Sequence, residues 1–262
     1  MGVVGIAVIA CGESYFDYSQ QLIKTLDSNV HFSETIRVYV MTDKQNIKVN
    51  FSSNLEVRYI NIPKLEWPEA TLLRYELISK HLSSEDLTHI FYMDADLEVI
   101  DEFNESDIPL DSNFFCVAHP GFYNRGLLFN LIKKIYFPPW ETSSRFSCSI
   151  PFFKRTTYVA GGFWGGRKAE ILRMCDILAK HTDRDRGLGL YPRSYDESYL
   201  NWWVAKNRGS VVLTPIFLFT EQFPWLANLQ KPRILAVTKS QDIANHKLKR
   251  DDIYKGTAKN RF

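Results

Sequence analysis

The sequence predicts an α/β fold around one sheet with a substantial parallel part, and three observations carry that expectation. Short apolar runs rich in Val, Ile and Tyr alternate with amphipathic stretches through the first half of the chain, and strands separated by helices tend to return parallel to one another. The chain has 262 residues, 45% of them hydrophobic and 24% charged, enough to bury a large core as one domain or two closely joined halves. No internal repeat, long low-complexity tract or Gly/Ser linker divides it.

The opening run "VVGIAVIA" reads as a first buried strand, because no basic region precedes it and it is too short to cross a bilayer. Ile6 stands where N-myristoylation wants Ser or Thr, so Gly2 is not a lipid site. A helix is expected from Phe16 to Leu26, followed by strands in "TIRVYVMTD" and "LEVRYINI". A second helix, from Ala70 to His81, leads into the strand of "THIFYMDAD". The second half changes character, with "HPGFYNRG", the aromatic "KKIYFPPWETSS" and the glycine-rich "YVAGGFWGG", which reads as a loop. A helix from Lys168 to His181, the segment "YPRSYDESYLNWW", a strand-like "GSVVLTPIFLF" and a polar C-terminus complete the chain. The organisation expected is a single domain of two closely joined halves, at about 1–115 and about 116–240, with a basic tail at about 241–262.

A net charge of +2 argues against a protein that coats nucleic acid, although Lys247, Lys249, Arg250 and Lys255 make the tail locally basic. Cys11, Cys116, Cys148 and Cys175 form no C-x-x-C pair, so reduced thiols in a cytoplasm are the expectation.

The chemistry concentrates in "HIFYMDADLEV". Ile90 to Met93 suit a buried strand, yet Asp94 and Asp96 follow at once, and an isolated buried carboxylate costs several kcal/mol to desolvate. The chain therefore leaves the sheet there, at the strand's carboxyl end, where open α/β sheets bind ligands; Thr42 and Asp43 end a neighbouring strand in the same way. Two carboxylates one residue apart offer hard oxygens to Mn²⁺ or Mg²⁺ and leave coordination positions for a diphosphate, whose departure the cation would ease. Alone, D-x-D is a weak motif, more often a solvated strand end than a metal site, and the apolar strand before it strengthens the metal reading.

Five segments in order, "WPEATLLRYELI", "FYMDADLEV", "HPGFY", "YVAGGFWGG" and "YDESYLNWW", resemble the retaining glycosyltransferases of family six, the histo-blood-group A/B transferase and α-1,3-galactosyltransferase type, over roughly Ile6 to Arg250. The resemblance implies a GT-A fold with a mixed, largely parallel central sheet. It implies a UDP-N-acetylgalactosamine or UDP-galactose donor, and transfer with retention to the 3-hydroxyl of a β-galactoside or fucosylated galactoside. Asp96 would meet the cation and diphosphate most directly, and Asp94 would act through the ribose or metal-bound water. Ile9, Ala10 and Tyr15 would surround uracil and ribose, with Arg74 beside the donor. Ala160, Gly161 and Gly162 would line the donor sugar, and the small Ala160 and Gly162 favour N-acetylgalactosamine. Asp196 would hold that sugar and Glu197 would stand beside its anomeric carbon. His119 would contact the acceptor galactose, and Trp164 or Trp140 would stack on a sugar face. Lys239 and Arg250 would belong to a cationic tail folded over the diphosphate.

Departures fall on the acceptor side: Ser194 and Tyr195 replace a common Trp-His, and "WETS" at Trp140 to Ser143 replaces "YERR". Lacking the membrane anchor and stem of animal members, the chain resembles the short bacterial or viral form, expected in the cytoplasm with at most peripheral contact to a lipid-linked glycan. Two alternatives remain. Family eight galactosyltransferases also place D-x-D after an apolar strand, but "LQKPRILAVTKS" lacks their closing His-x-x-Gly-x-x-Lys-Pro-Trp segment. A catalytically silent sugar-binding module is opposed by the joint presence of Asp94, Asp96, Asp196 and Glu197.

Overall fold

The structure, a computed structural model, describes residues 2–45, 47, 55–123, 126, 132, 135, 138–223, 226 and 231–237. Its strands are β1 (Val3–Ile9), β2 (Val30–His31), β3 (Thr35–Thr42), β4 (Leu55–Asn61), β5 (His89–Met93), β6 (Leu97–Val99), β7 (Phe103–Asn104), β8 (Phe114–Ala118), β9 (Val159–Arg167), β10 (Val211–Leu213) and β11 (Ile234–Ala236). The helices used below are α1 (Glu13–Asn29), α2 (Glu69–Leu72), α3 (Arg74–Leu82), α4 (Lys168–Gly187) and α5 (Tyr195–Lys206).

Seven strands form one mixed sheet in the order β10-β8-β9-β5-β1-β3-β4. Every neighbouring pair is parallel except the two made by β9, which runs antiparallel to both β5 and β8. The side-chain period of two sorts each strand between two cores. In β5, Phe91 and Met93 join Leu22, Ile23 and Leu26 of α1 on one face. Ile90 and Tyr92 join Tyr75 and Ile78 of α3, Met174 and Leu178 of α4, and Tyr199 and Trp203 of α5 on the other. The result is a sheet between two helical layers, and each fully buried aromatic such as Phe91 contributes about 1.5–3 kcal/mol.

The glycine-rich segment read as a loop is instead the nine-residue strand β9, with eight residues buried. Intrinsic preference disfavours glycine in strands, but here packing requires it: a Cβ on Gly165 would lie 2.3 Å from Phe91 Cδ1 and 3.0 Å from Phe115 Cζ. The helix expected over Ala70 to His81 is interrupted, because Leu73 takes φ −85°, ψ 0° between α2 and α3, and this sets Arg74 at the first position of α3. In "GSVVLTPIFLF" the strand stops at Leu213, since Pro215 lacks a ladder donor and opens a 3₁₀ turn at Pro215–Leu218.

Strands leave β1 in both directions, β3 on one side and β5 on the other, so the crevice beyond their carboxyl ends is the switch point of the sheet. Asp43, at the end of β3, accepts a 2.8 Å hydrogen bond from the amide of Gly12, whose φ of +81° opens α1. The chain after Asp96 is held from the C-terminal side: β6 pairs antiparallel with β11, and the Val237 amide donates to Asp96 O at 2.9 Å. Among the described residues, no helix is long and apolar enough to cross a membrane.

Candidate active site

A cleft of about 1170 Å³ opens at that switch point. Its walls come from the end of β1 (Ile9), the start of α1 (Gly12–Tyr15), the break before α3 (Thr71, Arg74), the end of β5 (Asp94, Asp96), the glycines of β9 and the start of α5 (Asp196, Glu197).

Arg74 organises the floor. It is 5% exposed, and its Nη1 donates to Asp196 Oδ2 at 2.7 Å and to Gly161 O at 2.9 Å, while Nη2 donates to Asp94 Oδ1 at 3.3 Å. The guanidinium also lies 4.4 Å from the centroid of the Tyr92 ring, and the Tyr92 hydroxyl donates to the same Asp94 Oδ1 at 2.7 Å. A planar cation with five donors is the one side chain able to join two carboxylates and a carbonyl in this way.

Gly161 supplies backbone groups that a regular strand would have spent on its neighbour. Cys116 of β8 pairs with Trp164 and Val117 with Ala160, so Gly161 to Phe163 bulge away from β8 while Phe163 stays paired with Met93 of β5. The Gly161 carbonyl accepts from Arg74, and its amide donates to Glu197 Oε2 at 2.9 Å. A Cβ on Gly161 would meet Asp196 Oδ2 at 2.8 Å, so the glycine permits close approach of the Asp196–Arg74 pair.

Asp196 and Glu197 sit in the first turn of α5, where the helix dipole favours negative charge. Burial nevertheless raises the Asp196 carboxyl to about 7; Arg74 pulls it down, and Asp94 and Glu197 push it up. Burial likewise raises Glu197 to about 7 against the lowering effects of Tyr158, the Gly161 amide and Arg74. Arg74 stays charged: burial opposes the charge, but Asp196, Tyr92 and Asp94 raise its pKa well above the usual value. Asp94 and Asp196 thus share one buried guanidinium, with Glu197 and Asp96 nearby in the same cleft, and the site favours an incoming positive charge.

Ile9, Tyr15, Arg74, Asp94, Asp96, His119, Ala160, Gly161, Gly162, Asp196 and Glu197 all line the cleft. Ala10 does not; it is fully buried in the core beneath α1. Trp164 is a correction: it is 0% exposed and stacks on Tyr92 at 5.2 Å, so its indole is core and not a sugar platform. Trp140 is also buried, packed with Ile150 and Tyr158. Lys239 and Arg250 lie outside the described residues. His119 is held neutral, with burial lowering its pKa to about 4, and its Nδ1 accepts from the Gly121 amide at 3.0 Å.

Several residues that line or brace the cleft escape sequence reasoning. Trp67, Arg193 and Tyr195 line the cleft, and Tyr195 meets Trp67 edge-on at 5.2 Å. Asn201, four residues after Glu197, accepts from the Val159 amide at 2.9 Å and donates to the carbonyls of Val159 and Glu197 at 2.8 Å, riveting α5 to β9. Glu141 of "WETS" is buried and accepts from the amides of Thr142, Ser143 and Arg193, which fixes the loop before the acidic pair.

A mixed, largely parallel sheet carrying a carboxylate-lined cleft at its switch point defines a GT-A glycosyltransferase. The model of glycosyltransferase family 6 matches residues 2–246, and the chain belongs to that family. It is 30% identical over 188 residues to the O-antigen biosynthesis glycosyltransferase WbnI of Escherichia coli, covering 71% of this chain and 75% of that one. It is 23% identical over 245 residues to histo-blood group ABO system transferase 1 of Rattus norvegicus, covering 90% and 67%. To globoside alpha-1,3-N-acetylgalactosaminyltransferase 1 of Gallus gallus it is 22% identical over 251 residues, covering 92% and 69%.

Proposed function

We propose that this chain is a retaining α-1,3-glycosyltransferase that moves N-acetylgalactosamine, or galactose, from a UDP-sugar to the 3-hydroxyl of a β-galactoside. The observation that carries the reading is Glu197, held on the cleft floor by the Gly161 amide beside the Asp196–Arg74 pair. In this role Asp196 receives hydroxyls of the donor sugar, and Arg74 holds Asp196, Asp94 and the Gly161 carbonyl in one plane of contacts, so the donor enters a site already set. Glu197 opposes the positive character that develops at the anomeric carbon, by attack or by charge alone. The neutral His119 offers its imidazole to the acceptor rather than a second cation.

A divalent cation fits the donor set. Asp94 and Asp96 offer hard oxygen ligands in the cleft, the hydrogen bonds that Arg74 and Tyr92 make to Asp94 both end on Oδ1, and no group of three or more His, Cys, Asp or Glu among the described residues is placed to hold a metal unaided. Asp94 and Asp96 would therefore hold Mn²⁺ or Mg²⁺ jointly with the donor diphosphate, and when bound the ion supplies charge neutralisation of the leaving group. N-acetylgalactosamine is the donor favoured by Ala160 and Gly162, although a Cβ on Gly162 would first meet Asp94 Oδ2 at 3.0 Å and Leu218 Cδ1 at 3.1 Å. Incubating the protein with each UDP-sugar, Mn²⁺ and a β-galactoside, with NMR of the product's anomeric configuration, tests the assignment; an inverted linkage, or UDP release with no dependence on acceptor, overturns it.

A further inference from the structure

We propose that the turn Pro151–Arg155 docks this chain on an anionic lipid bilayer. Phe152 and Phe153 stand in a 3₁₀ turn, Phe152–Lys154, at 49% and 81% exposure, although a phenylalanine gains about 1.5–3 kcal/mol when buried. Arg155 braces the turn: its Nε donates to Ile150 O at 3.3 Å and its guanidinium lies 5.4 Å from the Phe152 ring centroid, leaving Phe153 at the tip.

Charge selects the surface. Lys154 and Arg155 stand in the turn itself, and from Thr142 to Gly166 the sequence holds Arg145, Lys154 and Arg155 and no acid, whereas the whole chain balances at +2. Aromatic tips set beside lysine and arginine suit the interface of an anionic membrane, where rings enter the headgroup boundary and bases meet phosphates. A second copy of the same surface would be repelled by like charge.

Position links docking to chemistry. Three residues beyond the turn the chain reaches Tyr158, whose carbonyl accepts from the His119 amide at 2.9 Å and whose ring lies 5.5 Å from His119. Resting on the function proposed above, docking here would turn the acceptor side of the cleft toward a glycan carried on a membrane lipid.

Flotation of the full chain with phosphatidylglycerol–phosphatidylethanolamine vesicles and with pure phosphatidylcholine vesicles, at about 0.15 M salt, tests this. The unmodified chain should float with the anionic vesicles only. Phe152→Ser/Phe153→Ser and, separately, Lys154→Glu/Arg155→Glu should each weaken binding about tenfold, while transfer to a soluble β-galactoside stays unchanged. Failure to float, equal binding to both vesicles, or full binding by both variants overturns the docking. Loss of self-association in the Phe variant with unaltered vesicle binding assigns the patch to a contact between copies and overturns it too. A protein that floats as expected but never transfers to a soluble acceptor leaves the docking standing and removes the function.

Discussion

Replacing Arg74 by Met keeps most of the aliphatic volume and removes the positive charge that faces Asp196 across 2.7 Å. Asp196 would remain 6% exposed beside Asp94 and Glu197. Breaking a buried pair by deleting one partner costs about 3–5 kcal/mol, because the other charge stays desolvated. In a domain of this size that corresponds to a melting temperature lower by roughly 6–20 °C. The sign with pH follows from the carboxyl. Its pKa in the fold is already raised to about 7 by burial despite Arg74, and without Arg74 it stands higher. An acid raised in the fold is neutral below that pKa, so the deficit is full in alkaline solution and shrinks as the pH falls. Thermal unfolding of the parent, Arg74→Met, Asp196→Asn and the double variant at about pH 8 and about pH 5.5 closes a double-mutant cycle. Arg74→Met should lose most at the higher pH, and Asp196→Asn in that background should restore most of the loss. A deficit equal at both pH values, or no restoration, would refute the account of Arg74 as a charge that the fold needs.

Glu197→Gln should bind UDP normally yet lower kcat by about two powers of ten, roughly 2.7 kcal/mol of transition-state stabilisation; an unchanged kcat removes Glu197 from the reaction. Chelation with EDTA should abolish transfer and added Mn²⁺ restore it, with Asp96→Asn unable to recover; full turnover after chelation rules out a metal role. Gly161→Ala should raise KM for the donor and lower kcat together, since the new Cβ would press on Asp196 Oδ2 at 2.8 Å; parent kinetics would show that the bulge relaxes freely. With Glu197 raised to about 7, donor kcat/KM should fall as the pH drops through that value and the carboxylate protonates, and a flat profile over that interval would exclude a titrating carboxylate there.

Legibility in the sequence followed the length scale of the cause. Asp94 and Asp96 stood out because the buried run Ile90 to Met93 stops abruptly at them, a contrast complete within seven residues. Strand β9 was misread because its stability is not local: glycines that disfavour a lone strand are demanded by β5 and β8 pressing from both edges. Trp164 went wrong for a related reason. A strand alternates faces, and which face looks into the cleft depends on the helices that cover it, here Tyr75 of α3 on the same side as Trp164. Arg74 entered through family resemblance, since the backbone change at Leu73 has no breaker residue to announce it. Glu141 also reaches the Arg193 amide and Asn201 the backbone of Val159, partners far away in sequence for which no local pattern exists.

These distant clamps explain how the site survives its own cost. Tyr195 opens α5 at φ +46°, a left-handed conformation that costs a non-glycine residue about 1–2 kcal/mol. Asp196 and Glu197 follow at once, both pushed toward neutrality by burial. Left alone, this turn would relax by rotating the carboxyls to water. Tyr75 prevents it by donating to Asp196 O at 2.9 Å, and Asn201 prevents it by tying Glu197 O to both backbone groups of Val159. Glu197 is thereby kept at the distance where the Gly161 amide meets it, and the acids stay close to one another inside the fold. Truncating Asn201 should then act on Glu197 without touching substrate, which makes it a positioning residue whose loss registers in kcat before it registers in donor binding.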